Sequence, residues 1–206
     1  MTRRTPIIFI LPLMLLAAGA CVAGSKPPSE DQSTAVATQV EASPLPALNP
    51  TIMLPTVTDP TCCLGGAPDT RPAPLGYAVP LGGGRLVVGV LEVTRPANDI
   101  IARASPSNPV PISGSEYLMV KVVLQCEPSI TGDPCLGVQF RVIDSTGTYY
   151  EEATVLAEVP NRFELPNIDS AFTVTGNVVF LVPISASDLV LDFSWPGNAD
   201  VLLALE

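Results

Sequence analysis

Carboxylates and thiols carry the chemistry open to this chain, because its 206 residues include 20 acidic side chains and five cysteines but no histidine. Serine or cysteine nucleophiles activated by imidazole, histidine general bases and histidine metal ligands are excluded on that ground. Glu151-Glu152 is the obvious acidic pair. Adjacent residues of a strand point to opposite faces, so these two are expected to read as a solvated edge rather than as a matched acid and base about one substrate. Asp188 and Asp192 share a strand face, yet they alternate with Leu189, Leu191 and Phe193 in the manner of an outer surface. No catalytic residue is assigned, and no enzyme is expected. Asp133, Asp144 and Asp169 are loop carboxylates without the spacing of a calcium loop. Gly82-Gly83-Gly84 lacks the lysine and following helix of a phosphate cradle and reads as a turn. No metal and no cofactor is expected.

Cys21 carries chemistry of another kind. Arg3 and Arg4 give a positive start, residues 7–20 are almost purely apolar, and Ala18-Gly19-Ala20 places small residues directly before the cysteine. That order is a secretory signal. The run is too short, and too interrupted by Pro12, for a span that needs about 20 apolar residues. Small residues ending in Ala20 suit ordinary signal peptidase. Small residues followed at once by cysteine resemble a bacterial lipobox, in which Cys21 is lipidated, and this is the preferred reading; Ala18 stands where Leu or Val is more usual. Thr2-Arg3-Arg4-Thr5 faintly resembles a twin-arginine signal, with Pro6 a departure from it.

The other cysteines are Cys62, Cys63, Cys126 and Cys135. In an exported chain disulfides persist, and four cysteines allow three pairings. Cys126 ends one expected strand and Cys135 begins the next, so a short antiparallel connection brings them within bridging distance and a Cys126–Cys135 bond is expected. Neighbouring Cα atoms sit about 3.8 Å apart, below the usual disulfide range, so a Cys62–Cys63 bond would be strained. These two either cross-link to Cys126 and Cys135, stay reduced or join another chain. A zinc site from the four lacks paired Cys-x-x-Cys units and ranks below disulfides.

Three segments must position these groups: a signal peptide at 1–20, a lipid-anchored linker at 21–74 and one domain at 75–206. The linker carries prolines 27, 28, 44, 46, 50, 55, 60, 68, 72 and 74 among Ser, Thr and Ala, and is expected to bury no core. As a spacer, residues 24–61 would reach about 35 Å as a coil and up to ~120 Å as polyproline. The domain is long enough for one core and too short for two ordinary ones. Without Arg3 and Arg4 the chain keeps 8 basic against 20 acidic side chains, a formal net charge of −12. Its bases are scattered singly, at Arg85, Arg95, Arg103, Lys121, Arg141 and Arg162, so nucleic acid is not an expected partner.

Period-two alternation dominates the domain. Leu118, Val120, Val122 and Leu124 oppose Tyr117, Lys121 and Gln125. The pattern recurs at Val138, Phe140 and Val142, at Val178, Phe180 and Val182, and at Leu189, Leu191, Phe193 and Trp195. Residues 86–93, 148–157 and 201–205 add further strands, Asp144-Ser145-Thr146-Gly147 reads as a hairpin turn, and no segment shows a helical period. Trp195, the only tryptophan, is expected in the core. About seven short strands indicate an all-β antiparallel sandwich.

Leu75-Gly76, residues 84–95 closing on Arg95-Pro96, Gly114-Ser115-Glu116-Tyr117, residues 144–149, and residues 176–183 followed by 189–193 form an ordered series over most of the domain. Together they resemble a secreted bacterial lipoprotein family of unknown function with an immunoglobulin-like, telokin-like sandwich, related to mycobacterial immunoprotective extracellular antigens. The resemblance implies a fold and a location, and transfers no site residue. The leading expectation is an interaction or ligand-binding module at the cell membrane, facing the extracellular or periplasmic side. Its binding residues are unassigned, its partner is an envelope protein or a glycan, and loops such as residues 98–114 make the contacts. The alternatives are a structural accessory lipoprotein of an envelope complex and a hydrolase of glycans working with carboxylates alone.

Overall fold

A computed structural model describes residues 54–65, 70–127, 137–166, 171–196 and 198–206; the signal, most of the linker, Cys21, Asp133, Cys135 and Asp169 lie outside them. The described residues belong to one compact unit, Leu48–Glu206. Eight strands form two four-stranded antiparallel sheets. The first sheet has β1 (Ala78–Leu81), β2 (Leu86–Thr94), β3 (Ser115–Cys126) and β6 (Phe172–Pro183) side by side in that order. The second has the order β5 (Tyr149–Glu151), β4 (Gln139–Ile143), β7 (Val190–Ser194) and β8 (Val201–Ala204). The expected β-sandwich is present.

The alternating residues make its core. Leu118, Val120, Val122 and Leu124 of β3 are fully buried, and they face Val142, Phe180, Leu191 and Phe193 in one cluster. β2 contributes Leu86, Val88 and Val90, then shifts register between Val90 and Glu92. That bulge advances the alternation by one residue, so Val93 also packs against the core instead of facing away. The 144–147 turn joins β4 to β5 as expected, with Gly147 at φ 81°. Gly82-Gly83-Gly84 forms a tight turn between β1 and β2, all three at positive φ.

Three expectations need correction. The spacer does not run to Pro74: Cys63 and Ala73 are buried in the core, Thr56 pairs with Ala78, and Ala73 pairs with Leu203. Isolated apolar residues between the prolines suffice, because they cover sheet edges and need form no core themselves. The chain is not without helix: α1 (Asn98–Ala104) lies inside the expected contact loop. Its two turns are too short to give a periodicity, but Ile101 buries with Ala97, Tyr117, Leu156 and Val179 in a second cluster. Tyr117 on the outer face of β3 is therefore buried at that end. The strand expected at 148–157 stops at Glu151, where the chain leaves the second sheet; Glu152 bridges to Phe180 and the Ala153 amide donates to the Val179 carbonyl at 2.8 Å.

Candidate functional site

That crossing changes the geometry of the acidic pair. Glu151 ends β5 and Glu152 already belongs to the other sheet, so the opposite-face rule for one continuous strand does not govern them. Both exposed carboxylates border the same groove of about 420 Å³, with Val138, Gln139, Phe140, Phe163 and Leu165. Phe140 reaches it from β4, its ring edge-on to Phe163 at 5.2 Å and tilted against Phe193 at 5.3 Å. Phe163 is held by a hydrogen bond that its amide donates to the Asn177 carbonyl at 3.0 Å. A Cβ on Gly176 would run into the Phe163 backbone, so only glycine lets that segment approach β6.

Asp188, Asp192 and Asp144 sit apart from this groove's lining. Asp188 is exposed ahead of β7 at φ 52°, whereas Asp192 is 1% exposed, a correction to the shared outer surface expected for them. Arg141, paired opposite Asp192 in the sheet, covers it: Nη2 donates to Oδ2 at 2.6 Å, and the guanidinium lies 4.7 Å from the Tyr149 ring centre. Burial pushes the Asp192 carboxyl above its ordinary range although the Arg141 hydrogen bond pulls it down; the charges of Asp200 and Glu151 push it further up. Arg141 Nε and Asp192 Oδ1 are buried without a partner among the described residues. Asp144 staples the turn. Its Oδ1 accepts from the Thr146 hydroxyl at 2.6 Å and the Thr146 and Thr148 amides, and its Oδ2 from the Tyr150 hydroxyl. These hydrogen bonds, Thr146's first, hold its carboxyl well below the usual range.

Among the described residues Cys62 and Cys63 are free thiols, on a 3-10 turn spanning Pro60–Cys63. Burial, then the hydrogen bond with Cys62, pushes the Cys63 thiol up to about 12, so it is a poor nucleophile. Cys126 is buried at the end of β3; no disulfide joins two described residues, and the expected Cys126–Cys135 bond reaches a residue outside them. No cluster of metal-ligating side chains occurs among the described residues. Trp195 is half-buried against the core, its ring over Gly82, and borders a smaller hollow of about 250 Å³ with Pro60 and Leu64.

Residues 98–114 form an anchored platform. Asn108, 8% exposed, donates to the carbonyls of Ile101 at 2.8 Å and Glu158 at 2.7 Å and accepts from the Glu158 amide. The Tyr117 hydroxyl donates to the Pro109 carbonyl, and the Asn98 side chain accepts from the Tyr117 amide. Beyond these anchors Val110 is 85% and Ile112 68% exposed. Ile184, 60% exposed, lies on the neighbouring turn, where its amide donates to the Gly114 carbonyl at 3.0 Å. Arg95 fixes that turn, donating to the carbonyls of Pro183, Ile184 and Ala186 and to Glu116 at 2.6 Å. The apolar tip and the groove were both hidden from sequence reasoning, since each assembles residues distant in the chain.

No protein-family model matches this chain, and neither the curated proteins nor the solved structures searched contain a match.

Proposed function

We propose that this chain is an exported, membrane-anchored lipoprotein, lipidated at Cys21, that presents an immunoglobulin-like module for binding an envelope protein or glycan, without catalysis. The strand order supports the immunoglobulin-like reading: β2, β3 and β6 against β5, β4, β7 and β8 correspond to strands A, B, E and C′, C, F, G, with β1 added outside β2. The family resemblance rests on the sequence motifs alone. The observation that carries the binding reading is the apolar tip, where Val110, Ile112 and Ile184 are held out by an ordered scaffold. Large apolar side chains exposed on anchored turns at one end of a sheet are the expected makeup of a contact surface.

Two measurements test it. Mass spectrometry of the native chain should find a diacylglycerol-modified Cys21, and Cys21→Ser should move the protein from the detergent phase to the aqueous phase; an unmodified Cys21 would remove the anchor. A photo-crosslinker at position 110 should trap a single envelope partner, and Val110→Ser with Ile112→Ser and Ile184→Ser should lower its capture about tenfold or more. Deleting the whole 98–114 loop is no test, because it removes Ile101 from the second cluster. Undiminished capture would favour the structural accessory role. Glu151 and Glu152 bordering one groove lends some support to the glycan hydrolase; release of reducing sugar that Glu151→Gln or Glu152→Gln abolishes would establish it.

A further inference from the structure

A two-sheet sandwich has four outer strands, each with a row of backbone donors and acceptors that a neighbouring chain can pair with. Three are covered from within. Residues 55–57 lie along β1, with the Val57 amide bonded to the Ala78 carbonyl and the Ala78 amide to the Pro55 carbonyl. Ala73 exchanges hydrogen bonds with Leu202 and Ala204 along β8. Residues 152–163 cover β6 through Glu152, Ala153, Asn161 and Phe163.

The fourth side is incomplete. β5 pairs with β4 only at Arg141, Val142 and Ile143, because the chain crosses to the other sheet after Glu151. Gln139 and Phe140 pair with Ser194 and Phe193 on the β7 side, and no described residue pairs with them on the other. This open length of β4 borders the acidic groove. Backbone groups, an apolar wall of Val138, Phe140, Phe163 and Leu165, and two carboxylates thus meet in one place. Neither Glu151 nor Glu152 has an ion-pair partner among the described residues.

From this geometry we infer that the groove binds an extended peptide segment of a partner protein, which adds a short strand to β4 and places a lysine or arginine between Glu151 and Glu152. The open edge supplies hydrogen bonds to any extended backbone, and the apolar wall supplies contact area. The carboxylates set the sign: they attract a basic side chain and repel an acidic one, in a chain of net charge −12 once the signal is removed. A sugar ring fits less well. Phe140 is buried and spends its ring on Phe163 and Phe193, so it offers no open stacking face. Charges on outer strands also deter edge pairing; if that were their only role here, neither the basic nor the acidic peptide would add to β4.

The test uses the soluble mature chain with Cys21→Ser and an acetylated, amidated Thr-Val-Lys-Val-Lys-Val-Thr peptide, followed by amide NMR. The Gln139, Phe140, Glu151 and Glu152 signals should shift saturably, and added salt should weaken binding. Replacing both peptide lysines by glutamate, or methylating alternate peptide nitrogens, should reduce affinity at least about tenfold. Glu151→Gln with Glu152→Gln should do the same, and Glu151→Lys with Glu152→Lys should reverse the preference toward the glutamate peptide. Absence of shifts with the lysine peptide, or equal affinity for both peptides, overturns the inference. Shifts at these amides with a β-1,4-linked glucan hexasaccharide but not with the peptide overturn it in favour of a glycan site. The variant with serine at 110, 112 and 184 should bind the peptide as the parent does, so loss of the tip's partner and loss of the groove's are separate results.

Discussion

Asp144 condenses much of a hairpin into one side chain. Because hydrogen bonds hold its folded carboxyl below the ordinary value of 3.8, the ionised form stabilises the fold. Its contribution is complete above that unfolded value and is lost as pH falls through the lower folded one. Asp144→Asn should therefore lower the melting temperature by a constant amount from pH 7 to about pH 5, and the gap should close below pH 3.8. Thermal melts across that range check it; a gap that persists in acid would mean shape, and not charge, makes the turn. Asp and Gly at its ends made this turn legible in the sequence. Nothing comparable announced Asp192, whose burial depends on Arg141 lying over it from a strand some 50 residues away.

Among the elements, regular strands were readable and their interruptions were not. Alternation at Leu118, Val120, Val122 and Leu124 gave the inner face of β3 directly, since burial on one face imposes a period of two. The end of β5 followed no such rule. Tyr149-Tyr150-Glu151 continues into residues equally able to extend, and only the sheet crossing stops it, so the groove could not be foreseen. Helix α1 was equally silent, its register fixed by Ile101 and by Asn108 clamping the loop behind it. Asn108→Ala removes hydrogen bonds to Ile101 and Glu158 and leaves the buried Ile101 carbonyl and the part-buried Glu158 backbone groups unpaired, a loss of about 2 kcal/mol. Hydrogen exchange at the Glu158 amide, which Asn108 accepts, should accelerate most. Unchanged protection there would show that the second cluster holds the loop by itself.

For the molecule as a whole, composition located the domain and misplaced its start. Proline content marked residues 21–74 as a spacer, yet edge-covering segments need only a few hydrogen bonds and one or two small buried groups, which proline-rich sequence can supply. Cys63 and Ala73, both fully buried, are those groups. A chain beginning at Leu54 should accordingly melt within a few degrees of the full mature protein. One beginning at Leu75 should lose at least about 2 kcal/mol, with β1 and β8 both uncovered. Denaturant titration of the two decides between a sandwich that starts at 75 and one that needs its preceding segment.

Residues 55–57 lie parallel to β1, so a load applied to Leu54 along the strand axis would meet both of their hydrogen bonds at once. The two hydrogen bonds to Ala78 then bear the load together, in shear, instead of opening one after the other like a zip. A covering segment fastened in this way resists such a load better than its bond count suggests.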